Sequence, residues 1–257
     1  MRVEVSGTGQ PELVCIHGLA DMHEIWSRLV ADLRSLGRVV VFDQRAHGES
    51  TAPPGPYRRE DLAMDVRHVL DDLAIARAVL IGHSLGGVVA MTAAVLYPER
   101  VAGLVLLGTA SECSARASAW YEHIAGAAEA DGLTGFAQAI FGTASTKPIR
   151  GDARGLAHVT RCLQSLHDDP LTPKLAALRC PVLLCVGEKD PMGSAASVII
   201  QRHVDGAELA VIAGRGHWLH VEAPDTVADL ITAFLVRRRL TVNEPTHPAA
   251  GAMSPRR

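Results

Sequence analysis

One stretch constrains this chain more than any other: Ala78-Val79-Leu80-Ile81-Gly82-His83-Ser84-Leu85-Gly86-Gly87-Val88-Val89-Ala90. Apolar residues run into Gly82, Ser84 follows between two glycines, and an Ala-rich apolar run begins behind it. This reads as a buried strand, a sharp turn and a buried helix. The glycines let strand and helix pack closely, while the turn holds Ser84 in a strained conformation with its hydroxyl exposed. A helix starting at Leu85 aims its free N–H groups and positive dipole end at whatever Ser84 attacks. The plainer reading, a corner with a surface serine, loses ground because the apolar strand and the helix are both in place.

The rest of the composition narrows the class. At 257 residues the chain fits one large α/β unit or one domain with an insertion. A net charge of −3 and scattered basic residues argue against a nucleic-acid partner. No apolar run is long enough to cross a bilayer, and Met1-Arg2-Val3-Glu4-Val5 starts in a strand pattern with no signal-peptide core. The five cysteines are odd in number, and Cys15, Cys180 and Cys185 sit in apolar runs. That predicts reduced core thiols in a cytoplasmic protein. No Cys or His cluster has metal-ligand spacing, so neither a metal nor a cofactor is expected. The oligomeric state is open, a homodimer included.

Along the chain, Arg2 to Ser6 alternates as an edge strand, and continuous apolar runs at 12–16, 39–42, 78–82, 101–107, 181–187 and 208–212 read as further strands. Helical spacing separates them, at 23–36, 62–73, 85–97, 195–203 and 223–235. Such alternation predicts an α/β fold with a mostly parallel sheet of about seven strands and helices on both faces. Between Ser111 and Leu178 only helical patterns occur. The expected organisation is a core of 1–111 and 177–240, a helical cap inserted at 112–176, and a Pro/Ala/Ser-rich disordered tail at 241–257.

Acyl transfer by a serine needs a base, a carboxylate to orient the base, and donors for the oxyanion. In such sheets chemistry collects at the carboxyl ends of strands. Histidines at these ends are His17, His47, His83, His217 and His220. His217, which follows two glycines in Gly214-Arg215-Gly216-His217-Trp218, is the expected base; His220 is expected to hold the loop by a hydrogen bond. Asp190, in Gly187-Glu188-Lys189-Asp190-Pro191, is the expected carboxylate and gives the chain order Ser, Asp, His. Glu112 is the runner-up, and Asp43 is expected to pair with Arg45. The oxyanion donors are expected to be the backbone amides of Leu85 and Leu19.

Together, His17-Gly18, Asp43-x-Arg45-x-His47-Gly48-x-Ser50, Gly82-x-Ser84-x-Gly86-Gly87, Gly187-x-x-Asp190 and Gly216-His217 resemble the serine-nucleophile branch of the α/β-hydrolase superfamily. The resemblance covers about residues 2–237. It implies Ser84 as nucleophile, His217 as base, Asp190 as its orienter, and the Leu19 and Leu85 amides as oxyanion hole. Within the superfamily the chain looks most like small esterases and lactonases of the 3-oxoadipate enol-lactonase and non-haem haloperoxidase/esterase type. Ala46 departs from the glycine usual in the Asp-x-Arg-Gly-His-Gly turn.

The expected function is therefore a serine hydrolase acting on a small carboxylic ester or lactone through an acyl-serine intermediate. C–C bond hydrolysis or perhydrolysis at the same triad, and a non-catalytic ligand-binding protein, are the alternatives. Met22, Trp26, Trp120, Tyr121, Phe136, Ile140, Phe141, Met192 and Trp218 are candidates for the substrate pocket, although each fits ordinary core as well. Arg116, Arg150, Arg154 and Arg161 are candidates to hold a substrate carboxylate.

Overall fold

The structure, a computed structural model, describes residues 1–191 and 193–241. Met192, and the tail expected at 241–257 apart from Thr241, lie outside the described residues. Seven strands form one sheet: β1 (Val3–Ser6), β2 (Glu12–Ile16), β3 (Arg38–Phe42), β4 (Ala78–His83), β5 (Val101–Leu107), β6 (Val182–Gly187) and β7 (Glu208–Ile212). They lie in the order β1-β3-β2-β4-β5-β6-β7. Only β1 runs antiparallel, pairing Val3 with Phe42 at the edge; every other neighbour is parallel.

The residues of β2, β4 and β6 are all buried, which explains why these strands read as unbroken apolar runs. Alternate side chains serve opposite layers. Val14, Ile16 and Leu80 point into the core beneath α2 (Arg59–Asp72) and α3 (Leu85–Leu96). Leu13, Cys15, Val79 and Ile81 point to the other side, against α1 (Ser27–Leu33) and α8 (Pro224–Arg237). The helix expected over 23–36 is in fact a 3-10 turn, His23–Trp26, followed by the shorter α1.

Between β5 and β6 the chain carries no strand of the sheet. It forms α4 (Ala115–Phe141), α5 (Ala153–Gln164) and a 3-10 turn, Thr172–Ala177. Helix α4 breaks at Gly132, whose φ of 65° is left-handed. Asp152 caps α5, its carboxylate accepting from the Gly155 amide at 2.7 Å. Arg161 of α5 clamps Glu122 and Glu129 of α4 with charge-assisted hydrogen bonds of 2.6–3.1 Å. After β6 come α6 (Gly193–His203), β7 and the short α7 (Leu219–Glu222).

Candidate active site

The site lies at the carboxyl ends of β2, β4, β5, β6 and β7. Ser84 occupies the turn from β4 to α3 with φ 51° and ψ −114°, a left-handed conformation that side chains rarely adopt. The glycines around it allow no more bulk. A Cβ on Gly82 would strike the backbone of Gly86, and one on Gly86 would strike the Ile16 carbonyl of β2. The turn is held from β5: the Ser84 amide donates to the Leu107 carbonyl (2.9 Å), and the Thr109 hydroxyl donates to the Ser84 carbonyl (2.7 Å). Its neighbours His83 and Leu85 are buried, whereas Ser84 is half-buried and borders a cavity of about 690 Å³.

The loops after β6 and β7 are laced together on the other side of this cavity. The Lys189 amide donates to the Arg215 carbonyl (2.8 Å), and the Gly214 amide donates to the Glu188 carboxylate (2.8 Å). Glu222 of α7 accepts from the Gly216 amide (2.6 Å) and the Trp218 amide (3.1 Å), fixing both sides of His217. His217 Nδ1 then meets the buried Asp190 Oδ2 at 2.9 Å. The carboxylate accepts, so Nδ1 carries a proton, and the neutral tautomer consistent with this contact has its lone pair on Nε2. This pair passes tightly over β5: a Cβ on Gly108 would stand 2.9 Å from Asp190 Oδ2 and 3.1 Å from His217 Nδ1.

Of the five histidines weighed from sequence, His217 is the one bordering the cavity. His17 is buried; the Gln44 amide donates to its Nε2 and its Nδ1–H donates to the Gly18 carbonyl. His47 is buried and faces the Arg45 carbonyl; burial, then the nearby His17, push its pKa down to about 3. His220 does not make the loop-holding hydrogen bond expected of it: neither ring nitrogen has a partner among the described residues. It is stacked between Trp26 and His83, with centroids 4.4 and 4.5 Å away, and burial keeps its pKa well below that of free histidine.

The carboxylates separate as clearly. Asp43 does not pair with Arg45. It accepts from the His23 amide (2.8 Å) and the Glu49 amide (2.9 Å), while Arg45 pairs with Asp65 of α2 at 2.6 Å. Glu112 borders the cavity but is engaged by the Thr172 hydroxyl (2.6 Å). The amides of Leu19 and Leu85 find no acceptor among the described residues, and Leu19 borders the cavity with Ser84.

Trp120, Tyr121, Ile140, Phe141 and Trp218 line the cavity, together with Val88, Leu163 and Leu166. Three other expected pocket residues do not. Trp26 is fully buried on the far side of the sheet, Phe136 is fully buried in the core under α4 and α5, and Met22 turns outward to Arg150. An aromatic or Met near a strand end fills core as readily as pocket, and the sequence pattern alone does not separate the two. Of the candidate arginines, Arg150 pairs with Glu24 and Arg161 with Glu122 and Glu129, whereas Arg116 borders the cavity. His23, Glu24 and Asp43 lie close enough to share a cation, but they are taken up by one another, by Glu4 and by Arg150.

Two residues packed against Trp218, which lines the cavity, carried no signal in the sequence. Asp21 is buried beside the Leu19 turn, and Lys147 of the segment between α4 and α5 meets it at 2.5 Å.

Comparison with known proteins agrees with this architecture. Over 245 residues the chain is 28% identical to 3-oxoadipate enol-lactonase 2 of Acinetobacter baylyi, covering 89% of this chain and 90% of that one. The enol-lactonase of Burkholderia xenovorans LB400 superposes with a TM-score of 0.83 at 25% identity, over 91% of this chain and 96% of that one. A thermophilic esterase of Thermogutta terrifontis superposes at 0.82 with 26% identity, over 92% and 93%. The model of the alpha/beta hydrolase family matches residues 13–230, from β2 to α8 and through every loop that meets at Ser84. On that match and this sheet, the chain belongs to the alpha/beta hydrolase family.

Proposed function

We propose that this chain is a serine hydrolase that cleaves a small carboxylic ester or lactone by way of an acyl-Ser84 intermediate. One observation carries the reading: a serine held at φ 51° and a histidine already bonded to a buried aspartate open into the same cavity. The similarity to enol-lactonases and an esterase over nine-tenths of the chain supports the same chemistry.

In this reading His217 Nε2 takes the Ser84 proton as Oγ attacks the carbonyl carbon, and Asp190 stabilises the imidazolium that results. The negative charge that develops on the carbonyl oxygen is met by the Leu19 and Leu85 amides, the second at the N-terminus of α3. Collapse of the tetrahedral species expels the alcohol, which takes its proton from His217. Water activated by the same base then releases the acid and restores Ser84. Helices α4 and α5 act as the cap, their apolar lining (Tyr121, Ile140, Phe141 and Leu163) selecting the acyl group. The cysteines are free, and Cys15, Cys162, Cys180 and Cys185 are buried, which fits a reducing cytoplasmic compartment.

Hydrolysis of p-nitrophenyl acetate tests the reading. The natural chain should turn it over, and Ser84→Ala should lose about a thousandfold or more of kcat. A folded Ser84→Ala protein that keeps its activity overturns the reading.

A further inference from the structure

Three separate parts of the molecule meet on one buried carboxylate. The Asp21 side chain is 1% exposed. Its Oδ1 faces Lys147 Nζ at 2.5 Å, and its Oδ2 accepts from the Trp218 indole N–H at 3.2 Å. Asp21 itself closes the turn that presents Leu19, its amide donating to the Gly18 carbonyl at 3.3 Å, with Ala20 left-handed at φ 63°. Trp218 is the residue after His217. Lys147 comes from the segment joining α4 to α5, and its ammonium also lies over the rings of Phe141 (4.7 Å) and Trp218 (5.0 Å), both of which line the cavity.

The surroundings are built for this charge. A Cβ on Gly18 would stand 3.1 Å from Asp21 Oδ2 and 2.8 Å from His83 Nδ1, so only glycine leaves room for both. His83 Nε2 lies 3.0 Å from the His217 carbonyl and must carry the ring proton, because a carbonyl only accepts. Its Nδ1 faces Asp21 Oδ2 at 3.7 Å, beyond ordinary hydrogen-bond distance, so the His83 ring and the much closer Lys147 ammonium, at 2.5 Å, share the carboxylate from two sides. A buried carboxylate stripped of its cation is costly and shifts to recover solvent or a partner. Here such a shift moves the Leu19 turn and the Trp218 side chain together.

We propose that Asp21 is a positioning residue that holds the oxyanion turn and the base loop in register, and that Lys147 sets it in place from the cap. The proposal rests on the reading of Ser84, His217 and Leu19 given above. It makes the catalytic geometry depend on a cap residue that touches none of the reacting atoms.

The test compares Lys147→Met, Lys147→Arg, Asp21→Asn and the Lys147→Met/Asp21→Asn double variant on p-nitrophenyl acetate, with Tm and tryptophan emission recorded for each. Lys147→Met keeps an apolar stem over Phe141 and Trp218 and removes only the charge. The expected result is a loss of about ten- to a hundredfold in kcat with KM within about twofold, as for a small misplacement of catalytic groups. Lys147→Arg should restore most of that loss, and in the Asp21→Asn background Lys147→Met should cost little more. An unchanged kcat, a loss confined to KM, or additive losses in the double variant overturns the proposal. Should the natural chain hydrolyse no ester, the Ser84 reading fails by itself. The tie then stands or falls on whether Lys147→Met shifts the tryptophan emission, through Trp218, at unchanged Tm.

Discussion

Gly108 sits where a single methyl group would meet the Asp190–His217 pair, and its φ of 53° is one that side chains resist. Gly108→Ala is expected to cost about 1 kcal/mol in stability from backbone strain, but to lower kcat by about tenfold or more because the pair must shift. Urea denaturation and p-nitrophenyl acetate kinetics on one preparation separate the two effects; equal kcat in both proteins counts against the tight passage over β5. At this scale Ser84, Asp190 and His217 stand out in the sequence as candidates, because each stands close to glycines or a proline just past an apolar run. It hides Asp21, Lys147, Thr109 and Glu222. These make contacts between residues up to 197 positions apart, as Asp21 does with Trp218, and nothing in their immediate neighbours marks them.

The interior parallel strands β2, β4, β5 and β6 are the most legible elements, since burial on both faces makes them nearly unbroken apolar runs. The helices between β5 and β6 are legible as helices but not in their arrangement. Gly132 breaks α4, and α5 meets α4 through buried residues such as Ile124, Phe136, Leu156 and Val159 and through Arg161 pairing with two glutamates. The confusion of Trp26 and Phe136 with pocket residues has the same origin: periodicity gives the buried face of an element but not which layer it meets. For α5 the local chemistry is clear. Asp152 is its N-cap, so Asp152→Ala should lower stability by about 1 kcal/mol, seen as a lower urea midpoint at unchanged slope. An unchanged midpoint would show that the cap contributes nothing to the fold.

The whole molecule carries an unusual load of buried imidazole. His17, His47, His83 and His220 all have pKa values depressed chiefly by burial, while at His23 burial is outweighed by Asp43 and the value is raised. A depressed histidine binds fewer protons folded than unfolded. Its contribution is complete above the unfolded value of about 6.5 and is lost as pH falls below it. His23 works the other way: its contribution is present below about 6.5 and fades as pH rises through its raised value. The depressed group outnumbers it, and the depressed carboxylates Asp21 and Asp43 begin to weaken the fold only in more acid solution. Tm should therefore drop from about pH 6.5 to pH 5; a flat or rising Tm across that window contradicts the burial of these rings.

In the proposed function, the sheet, the turn at Ser84 and the Asp190–His217 pair serve one covalent event. The most direct measurement is intact and peptide mass spectrometry of the protein treated with a fluorophosphonate ester. The account predicts a single phosphonyl adduct on the peptide that contains Ser84, formed by the natural chain and absent from Ser84→Ala. A protein that hydrolyses p-nitrophenyl acetate yet takes no label on Ser84, or takes it on another residue, contradicts it.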